Sequence, residues 1–174
     1  MCSAPAPSAP SAAPLPWPVV LDTGRLVLRP VERGDVPAVT RLWTDPEVRR
    51  HLGGPVAQSV VRIRQGRCVG ARGVFAVARA DDGVLAGLVT MGWDARRAET
   101  EVSYQFLPEH WGHGYAREAV TVAVDWARGT SPTVIAVTQE ANTRSRRLLE
   151  AIGMAHVESF VEWDAHQVLY RTTG

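Results

Sequence analysis

The chain has 174 residues, of which 45% are hydrophobic, so it is long enough to fold as one domain around a substantial core. Its formal net charge is only +1, which gives no electrostatic reason to bind nucleic acid or an anionic membrane surface. No apolar run approaches the length of a membrane-spanning helix. The two cysteines, Cys2 and Cys68, argue against a disulfide framework and favour a reducing, cytoplasmic setting.

The N-terminal segment differs in composition from the rest of the chain. It is rich in Pro, Ala and Ser, and it lacks the basic start and apolar middle of a secretory signal peptide. A segment of this kind buries too little apolar surface to order itself. We therefore expect residues 1–20 to be a disordered leader and residues 21–174 to form a single domain.

The first half of the predicted domain contains one strand followed by helical segments. Residues 25–31 alternate polar and apolar side chains, which is typical of a half-buried strand. Asp35 is predicted to cap a helix that ends before Pro46, because apolar residues follow it at helical spacing. Residues 47–52 suit one further helical turn, whereas the pattern over residues 56–69 is ambiguous, although its apolar spacing is compatible with a helix.

Three antiparallel strands are predicted next, over residues 74–78, 84–93 and 99–107. The sequence Asp81-Asp82-Gly83 joins the first two, and Asp-Gly is a strong signal for a tight hairpin turn. Pro108 ends the third strand because proline has no N–H group for the ladder. These short, closely spaced strands predict a three-stranded meander.

The remaining residues are predicted to form a helix, a buried strand, a second helix and a final hairpin. These elements cover residues 115–128, 134–137, 142–153, 157–161 and 167–172, in that order. Asn142 is the predicted N-cap of the second helix, which ends at Gly153. The order of all elements indicates an α/β fold with one mixed sheet.

Two glycines separated by one residue, Gly112 and Gly114, lie between the third meander strand and the helix that follows it. Glycine lets the backbone adopt positive φ angles and approach a bulky ligand. The N-terminus of the following helix offers unpaired N–H groups and partial positive charge, so together these features predict an anion site suited to pyrophosphate. The plain alternative is a loop that merely requires two glycines. The spacing fits neither the dinucleotide fingerprint nor the P-loop, which needs a lysine after the second glycine.

The run from Trp111 to Ala116 resembles the acetyl-CoA motif of the GNAT acetyltransferases, Gln/Arg-x-x-Gly-x-Gly/Ala. It is most similar to the branch that includes the ribosomal-protein N-terminal acetyltransferases, in which a tryptophan at the first position is common and Glu-Ala, here Glu118-Ala119, follows. Further matches occur in register at Arg25–Arg29, Asp45–Val48, Glu101–Tyr104, Asn142–Ser145 and Leu148–Met154. The resemblance covers the chain from Leu21 to its C-terminus.

The resemblance implies a central mixed, mostly antiparallel sheet of six to seven strands, flanked by about four helices and splayed between its fourth and fifth strands. It implies acetyl-CoA as co-substrate and direct transfer of the acetyl group to a primary amine in a ternary complex. The acceptor would be a protein N-terminus or a small amine such as an antibiotic. Homodimers are frequent in the family.

The resemblance also assigns cofactor-binding residues. The backbone of the strand end, formed by Tyr104, Gln105 and Phe106, would bind the pantetheine arm. The backbone of the turn, formed by Trp111, Gly112, His113, Gly114, Tyr115 and Ala116, would hold the pyrophosphate. Asn142 is expected to cap its helix and also to contact the cofactor.

Two residues are candidates for catalysis. Glu101 would act as the base, directly or through a water, and Glu99 on the same face of the strand is the alternative. Ser145 matches the serine that this branch places near the thiol, and it would donate a hydrogen bond to the departing thiolate. The alternative interpretations are that Glu101 is a solvent-exposed residue of a strand and that Ser145 is a residue on the surface of a helix. Leu149 stands where many members of the family carry a tyrosine that acts as general acid.

Other features of the sequence limit or extend this interpretation. None of the five histidines has metal-ligand spacing with another His, Cys or acidic residue, so no metal is expected. The acidic turn residues Asp94, Glu162 and Asp164 would favour a cationic acceptor if they converge on the acceptor pocket.

Two other functions are compatible with the same fold. A non-catalytic acyl-CoA-binding or regulatory module is the alternative function, and transfer of a larger acyl group is a third interpretation.

Overall fold

In the computed structural model, which describes residues 15–173, the apolar patterns fold into one eight-stranded sheet and four α-helices. The strands are β1 (Leu21–Asp22), β2 (Leu26–Pro30), β3 (Val74–Arg79), β4 (Leu85–Asp94), β5 (Glu99–Phe106), β6 (Val134–Gln139), β7 (Met154–Glu162) and β8 (Ala165–Thr172). The helices are α1 (Val36–Thr44), α2 (Gln58–Cys68), α3 (Tyr115–Arg128) and α4 (Thr143–Ala151).

The strands lie in the order β1-β2-β3-β4-β5-β6-β8-β7, and all neighbours are antiparallel except β5 and β6. These two strands are parallel and pair at only two positions, Thr100 with Val134 and Glu101 with Ile135. Beyond them β5 continues to Phe106 without β6 beside it. This divergence confirms the predicted splay, because β5 and β6 are the fourth and fifth strands that the sequence predicts.

The sheet has eight strands, whereas the sequence predicted six to seven. The additional strand is β1. It has two residues and pairs with β2 through Leu21 opposite Leu28 and Asp22 opposite Val27. A strand of two residues is too short to show the alternation of side chains by which strands are recognised in a sequence.

Helices cover both faces of the sheet, and each face has its own core. On one face, α3 presents small buried residues, including Ala119, Ala123 and Ala127, which let the helix approach the sheet closely. On the other face, Val39 and Leu42 of α1 pack in a second core with residues of β3 and β4. Strand residues alternate between the two cores, so neighbouring positions of β5 face opposite sides of the molecule.

Three details of the predicted elements are resolved by the structure. The ambiguous stretch over residues 56–69 forms α2. Asp35 precedes α1 but does not cap it with its side chain, because its carboxylate accepts the N–H of Glu32 and pairs with Arg29 at 2.7 Å. The last hairpin turns through Trp163 and Asp164, both with positive φ angles of 51° and 57°, as a two-residue turn requires.

Packing begins before Leu21, the expected start of the domain. Leu15, Trp17 and Val19 lie against the core beneath α3, and the Trp17 ring meets Phe75 edge-on at a centroid distance of 5.0 Å. The Trp17 indole N–H also donates to the carbonyl of Gly70 at 3.3 Å. The expected leader therefore divides into residues 1–14, which lie outside the described residues, and residues 15–20, which contact the domain.

We predict that Trp17→Ala lowers the free energy of unfolding by about 1–3 kcal/mol, because it removes the aromatic contact with Phe75 and uncovers part of the core. Val20 is the matched control, since 61% of its surface is exposed. Val20→Ala should change stability by less than about 0.5 kcal/mol. Chemical denaturation of both variants tests this, and equal effects would mean that the segment is not held by the tryptophan.

Candidate active site

The predicted anion-binding turn is formed by residues 111–114 and leads into α3. Gly112 and Gly114 have φ angles of 80° and 79°, in the left-handed region that glycine adopts without strain. Gly114 occupies the N-cap position of α3, and no side chain within the described part of the chain caps this helix end. The N–H groups of its first turn are therefore free to bind an anion.

The turn is held from the sheet side by Trp111. Its indole N–H donates to the carbonyl of Phe106 at 2.8 Å, which ties the start of the turn to the end of β5. The guanidinium of Arg144, the second residue of α4, lies 4.8 Å from the centre of the Trp111 ring. The side chain of Trp111 is thus an anchor, and it brings a cation next to the turn that was expected to use only backbone groups.

A network from the start of β2 supports the turn from a second side. Arg25 forms an ion pair with Glu118 on the first turn of α3, and it donates to the carbonyl of His113 at 3.3 Å. The Arg25 guanidinium also lies 5.2 Å from the centre of the Tyr115 ring, and Thr23 donates to Glu118. The sequence pattern identified Glu118 but not its partners, because they are more than ninety residues away along the chain.

The end of β5 presents backbone groups to the splay at alternate residues. The N–H of Leu107 donates to Ala86 of β4 at 2.9 Å, so the backbone groups of Phe106 point to the opposite edge of the strand, towards the splay. Tyr104 has the same orientation by the alternation of the ladder. The carbonyl of Gln105 instead faces β4, since a Cβ atom placed on Gly87 would lie 2.4 Å from it. Of the three residues expected to bind the pantetheine arm, Tyr104 and Phe106 therefore direct their backbone groups into the splay. Gln105 directs its backbone carbonyl towards β4 instead.

Glu101 and Glu99 have different surroundings although both lie on the same face of β5. Glu99 receives two hydrogen bonds from Arg171, at 2.8 and 2.7 Å, and one from Thr133 at 2.9 Å. The hydrogen bonds from Arg171 are the largest cause of a lowered pKa for Glu99. Glu101 has no such partner among residues 15–173, and burial, followed by the nearby Asp94 carboxylate, raises its pKa. Only Glu101 is therefore available to accept a proton from another molecule.

Two of the three acidic turn residues lie near Glu101, and each has an arginine partner. Asp94 binds Arg97 at 2.9 Å and Glu162 binds Arg96 at 2.6 Å. The charges of Asp94 and Glu162 both raise the pKa of Glu101, while those of Arg97 and Arg96 lower it. Asp94 and Glu162 therefore both lie near Glu101, and their negative charges are largely neutralised by Arg97 and Arg96.

A pair of hydroxyl groups lies on the opposite face of β5. Tyr104 Oη and Ser145 Oγ are 2.7 Å apart, which joins β5 to the first turn of α4. Asn142 is the N-cap of α4, as expected, and its Oδ1 atom accepts the N–H of Ser145 at 3.2 Å. Leu149, which replaces the tyrosine frequent in the family, is fully buried in the core.

Neither a metal site nor a membrane segment is found in the part of the chain that the structure describes. No group of three or more His, Cys, Asp or Glu side chains within residues 15–173 is arranged to hold a metal ion. None of the helices over the same residues is long and apolar enough to cross a membrane.

The chain is similar in sequence and in fold to known acetyltransferases. Residues 25–155 match the model of the family described as "Acetyltransferase (GNAT) domain". The uncharacterized N-acetyltransferase YoaA of Bacillus subtilis is 30% identical over 147 residues, which cover 77% of this chain and 81% of YoaA. A solved structure of a GNAT-family acetyltransferase from Bacillus anthracis has a TM-score of 0.78 at 23% identity, covering 88% of this chain and 97% of that one. Spermidine N-acetyltransferase from Vibrio cholerae, solved with CoA and spermine, has a TM-score of 0.73 at 20% identity, covering 86% and 95%.

The fold of this chain is that of these solved structures over most of their length. The chain belongs to the GNAT family of acetyltransferases, since the family match spans most of its length. It is accordingly an acyltransferase, as the similarity to YoaA also supports.

The described residues fit acetyl-CoA, the acyl donor of this family, at two points. The turn before α3 offers unpaired N–H groups where glycines leave room for a phosphate. Gln105 Oε1 is buried and has no hydrogen-bond partner among residues 15–173, and an unpaired buried acceptor costs about 1–3 kcal/mol. The amide N–H groups of a pantetheine arm are donors of the kind that would satisfy it.

We predict that Gly114→Val weakens acetyl-CoA binding at least about tenfold. A β-branched residue is strained at a φ angle of 79° by about 1–2 kcal/mol, so the free turn would relax out of the conformation that presents its N–H groups. The valine side chain would also fill the space beside the helix N-terminus. Titration calorimetry with CoA measures the effect. Gly70→Val is the control, since Gly70 has a φ angle of 66°, open surroundings and a position outside the turn. Equal losses of CoA affinity in both variants would contradict a local role for Gly114.

Proposed function

We propose that this protein is an N-acetyltransferase of the branch that includes the ribosomal-protein N-terminal acetyltransferases, and that it acetylates a primary amine by direct attack. The observation that carries this proposal is the arrangement of β5. Its end is free of β6, an unpaired carboxylate at Glu101 lies on one face, and the hydroxyl pair of Tyr104 and Ser145 lies on the other.

The residues around the splay would hold the donor in one orientation. The first-turn N–H groups of α3 bind the pyrophosphate. The backbone groups of Tyr104 and the N–H of Phe106, which are directed into the splay, bind the pantetheine arm. When bound, acetyl-CoA supplies the thioester carbonyl that the amine attacks. Holding both reactants in line removes much of the entropic barrier to a reaction between two molecules.

Glu101 would act as the base. An amine attacks only when it is neutral, so a group in the site must remove a proton from the ammonium or from the attacking nitrogen. A carboxylate is more effective in this role when its pKa is raised, and burial raises that of Glu101. Ser145 lies on the other face of the strand, where a hydroxyl donor would stabilise negative charge on the departing sulfur.

The charges near Glu101 bear on the acceptor. Asp94 and Glu162 are each paired with an arginine, which leaves the Glu101 carboxylate as the uncompensated charge of this group. Such a site favours an acceptor with a single ammonium at the reacting end, such as a peptide N-terminus or a small monoamine. The similar protein from Vibrio cholerae is a spermidine acetyltransferase, so a polyamine belongs in the same test.

A non-catalytic acyl-CoA-binding module is the alternative function. The apolar Leu149, buried in the core, favours it because the position offers no acid. The Glu101 carboxylate weighs against it, since a partly buried acid without an ion-pair partner within the described residues costs stability and is retained most readily where it has a chemical role.

We predict that thiol release from acetyl-CoA is stimulated by at least one class of primary amine. The panel contains peptides with free N-termini, small monoamines and polyamines, with N-terminally blocked peptides as the matched control. We expect monoamines or peptides to exceed polyamines because the described charges near Glu101 are largely compensated. Thermal stabilisation by acetyl-CoA without thiol release under any amine would instead support the binding module.

We predict that Glu101→Gln lowers kcat/KM by about 10²–10⁴-fold, the usual contribution of a positioned base. In the native protein, kcat/KM should fall as the pH decreases through the pKa of Glu101, because the protonated acid no longer accepts a proton. Since that pKa is raised, the acidic limb should lie above the value of about 4.3 of an ordinary glutamate. The limb should be absent from the variant.

The matched control is Glu99→Gln, on the same face of β5 and two residues away. Because Glu99 is bound by Arg171 and Thr133, its substitution should reduce thermal stability and leave the acidic limb in place. If the limb survives in Glu101→Gln and disappears in Glu99→Gln, the assignment of the base is wrong.

A further inference from the structure

We propose that Tyr104 is a positioning residue for Ser145. When CoA is bound, the Tyr104 hydroxyl donates to Ser145 Oγ, so that the serine can donate its own proton to the sulfur in the opening between β5 and β6. The inference rests on the proposed function, since it names the residue that orients the donor to the departing sulfur.

The two hydroxyl groups lie on elements that flank the splay. Tyr104 belongs to β5, whereas Ser145 belongs to α4, the element that directly follows β6. The strands themselves are paired only up to Glu101 and Ile135. The hydrogen bond of 2.7 Å between the hydroxyls therefore links β5 to α4 beyond the last residue pair of β5 and β6.

The direction of this hydrogen bond depends on whether Ser145 has another acceptor for its proton. Tyr104 Oη lies 2.7 Å from Ser145 Oγ and 3.4 Å from the carbonyl oxygen of Ser145. Each hydroxyl has one proton, and either can be the donor in this pair. When Ser145 donates its proton to the sulfur of CoA, its contact with Tyr104 persists only if the phenol is the donor. Ser145 Oγ is then an acceptor towards Tyr104, and its own proton points elsewhere.

The hydroxyl proton of Ser145 is also not donated to a carbonyl of the helix backbone. Other hydroxyls in helices of the described chain donate to the carbonyl four residues earlier, as Thr40 does to Val36 at 2.7 Å and Thr121 does to Arg117 at 2.8 Å. Ser145 Oγ makes no such bond within residues 15–173, and its contact with Tyr104 is the one that the structure gives it. Its hydroxyl therefore remains a donor to the opening.

Ser145 is fixed through its backbone as well as its side chain. Asn142 Oδ1 holds its N–H at 3.2 Å, and Tyr104 holds its hydroxyl. Burial raises the pKa of Tyr104 to about 12, so the phenol remains a neutral donor at working pH. Both hydroxyls keep their protons throughout, and the pair stabilises negative charge on sulfur by hydrogen bonding alone.

The test compares Tyr104→Phe, Ser145→Ala and the double variant by steady-state kinetics and by titration of bound CoA. Thiolate absorbance gives the pKa of the CoA thiol in the complex, which a donor to sulfur lowers. We expect each single variant to lower kcat about five- to tenfold and to raise the bound thiol pKa by about 0.5–1 unit, equivalent to one hydrogen bond. The double variant should match Ser145→Ala, because Tyr104 acts through the serine.

Tyr170→Phe and Ser145→Thr are the control variants. Tyr170 is a fully buried tyrosine whose hydroxyl binds Glu150 at 2.8 Å, so Tyr170→Phe loses a buried hydroxyl without touching Ser145 and should leave the bound thiol pKa unchanged. Ser145→Thr keeps the hydroxyl and should keep the lowered thiol pKa. Circular dichroism establishes that each variant is folded before it is titrated.

The outcomes separate this inference from the proposed function. An unchanged thiol pKa in Tyr104→Phe, or additive effects in the double variant, would overturn the inference while acetyl transfer still occurs. A coupled shift of the thiol pKa in a protein that acetylates no amine would support the inference and overturn the proposed function alone. Failure of CoA to bind would overturn both.

Discussion

The parting of β5 from β6 after two residue pairs is the constraint on which the rest of the site depends. Unpaired backbone groups inside a sheet are costly, and strands that run side by side normally continue to pair. Beyond the last pair, groups of β5 contact elements other than β6: the Trp111 indole donates to the carbonyl of Phe106, and Tyr104 is hydrogen-bonded to Ser145 of α4. The remaining backbone groups at the end of β5 are then available to a ligand that lies between the strands.

The alternation of side chains along β5 divides the chemistry between the two faces of the sheet. Glu101 shares its face with Gln105, opposite Leu88 and the core under α1 and α2. Tyr104 lies on the other face with the core under α3 and α4. A molecule in the splay would thus be bordered by a carboxylate on one side and by a hydroxyl pair on the other. In the proposed reaction, the proton acceptor and the charge-stabilising donor would act from opposite directions. A shift of β5 by one residue would exchange the two faces.

Local patterns in the sequence predicted most of the fold, because helices, strands and hairpin turns depend on residues close together in the chain. The turn at Gly112 and Gly114 was recognisable for the same reason. The two-residue β1 and the packing of Trp17 on Phe75 were not, since neither has a periodic pattern. The contacts that organise the site also escaped prediction: Arg25 is 93 residues from Glu118, and Tyr104 is 41 from Ser145. Such pairs are set by the order of strands in the sheet, which no short segment encodes.

Glu99 and Glu101 show how the surroundings give different roles to identical side chains. They have the same chemistry, the same strand and the same face, so their sequence positions alone left the choice of base open. Arg171 of β8 lies opposite Ile135 of β6, and its guanidinium binds the Glu99 carboxylate. Glu101 occupies the last pair before the strands diverge and receives no arginine within the described residues. The uncompensated carboxylate of Glu101 therefore lies at the inner end of the splay in which we propose that the cofactor binds. One feature of the sheet would thus serve both requirements of the proposed reaction.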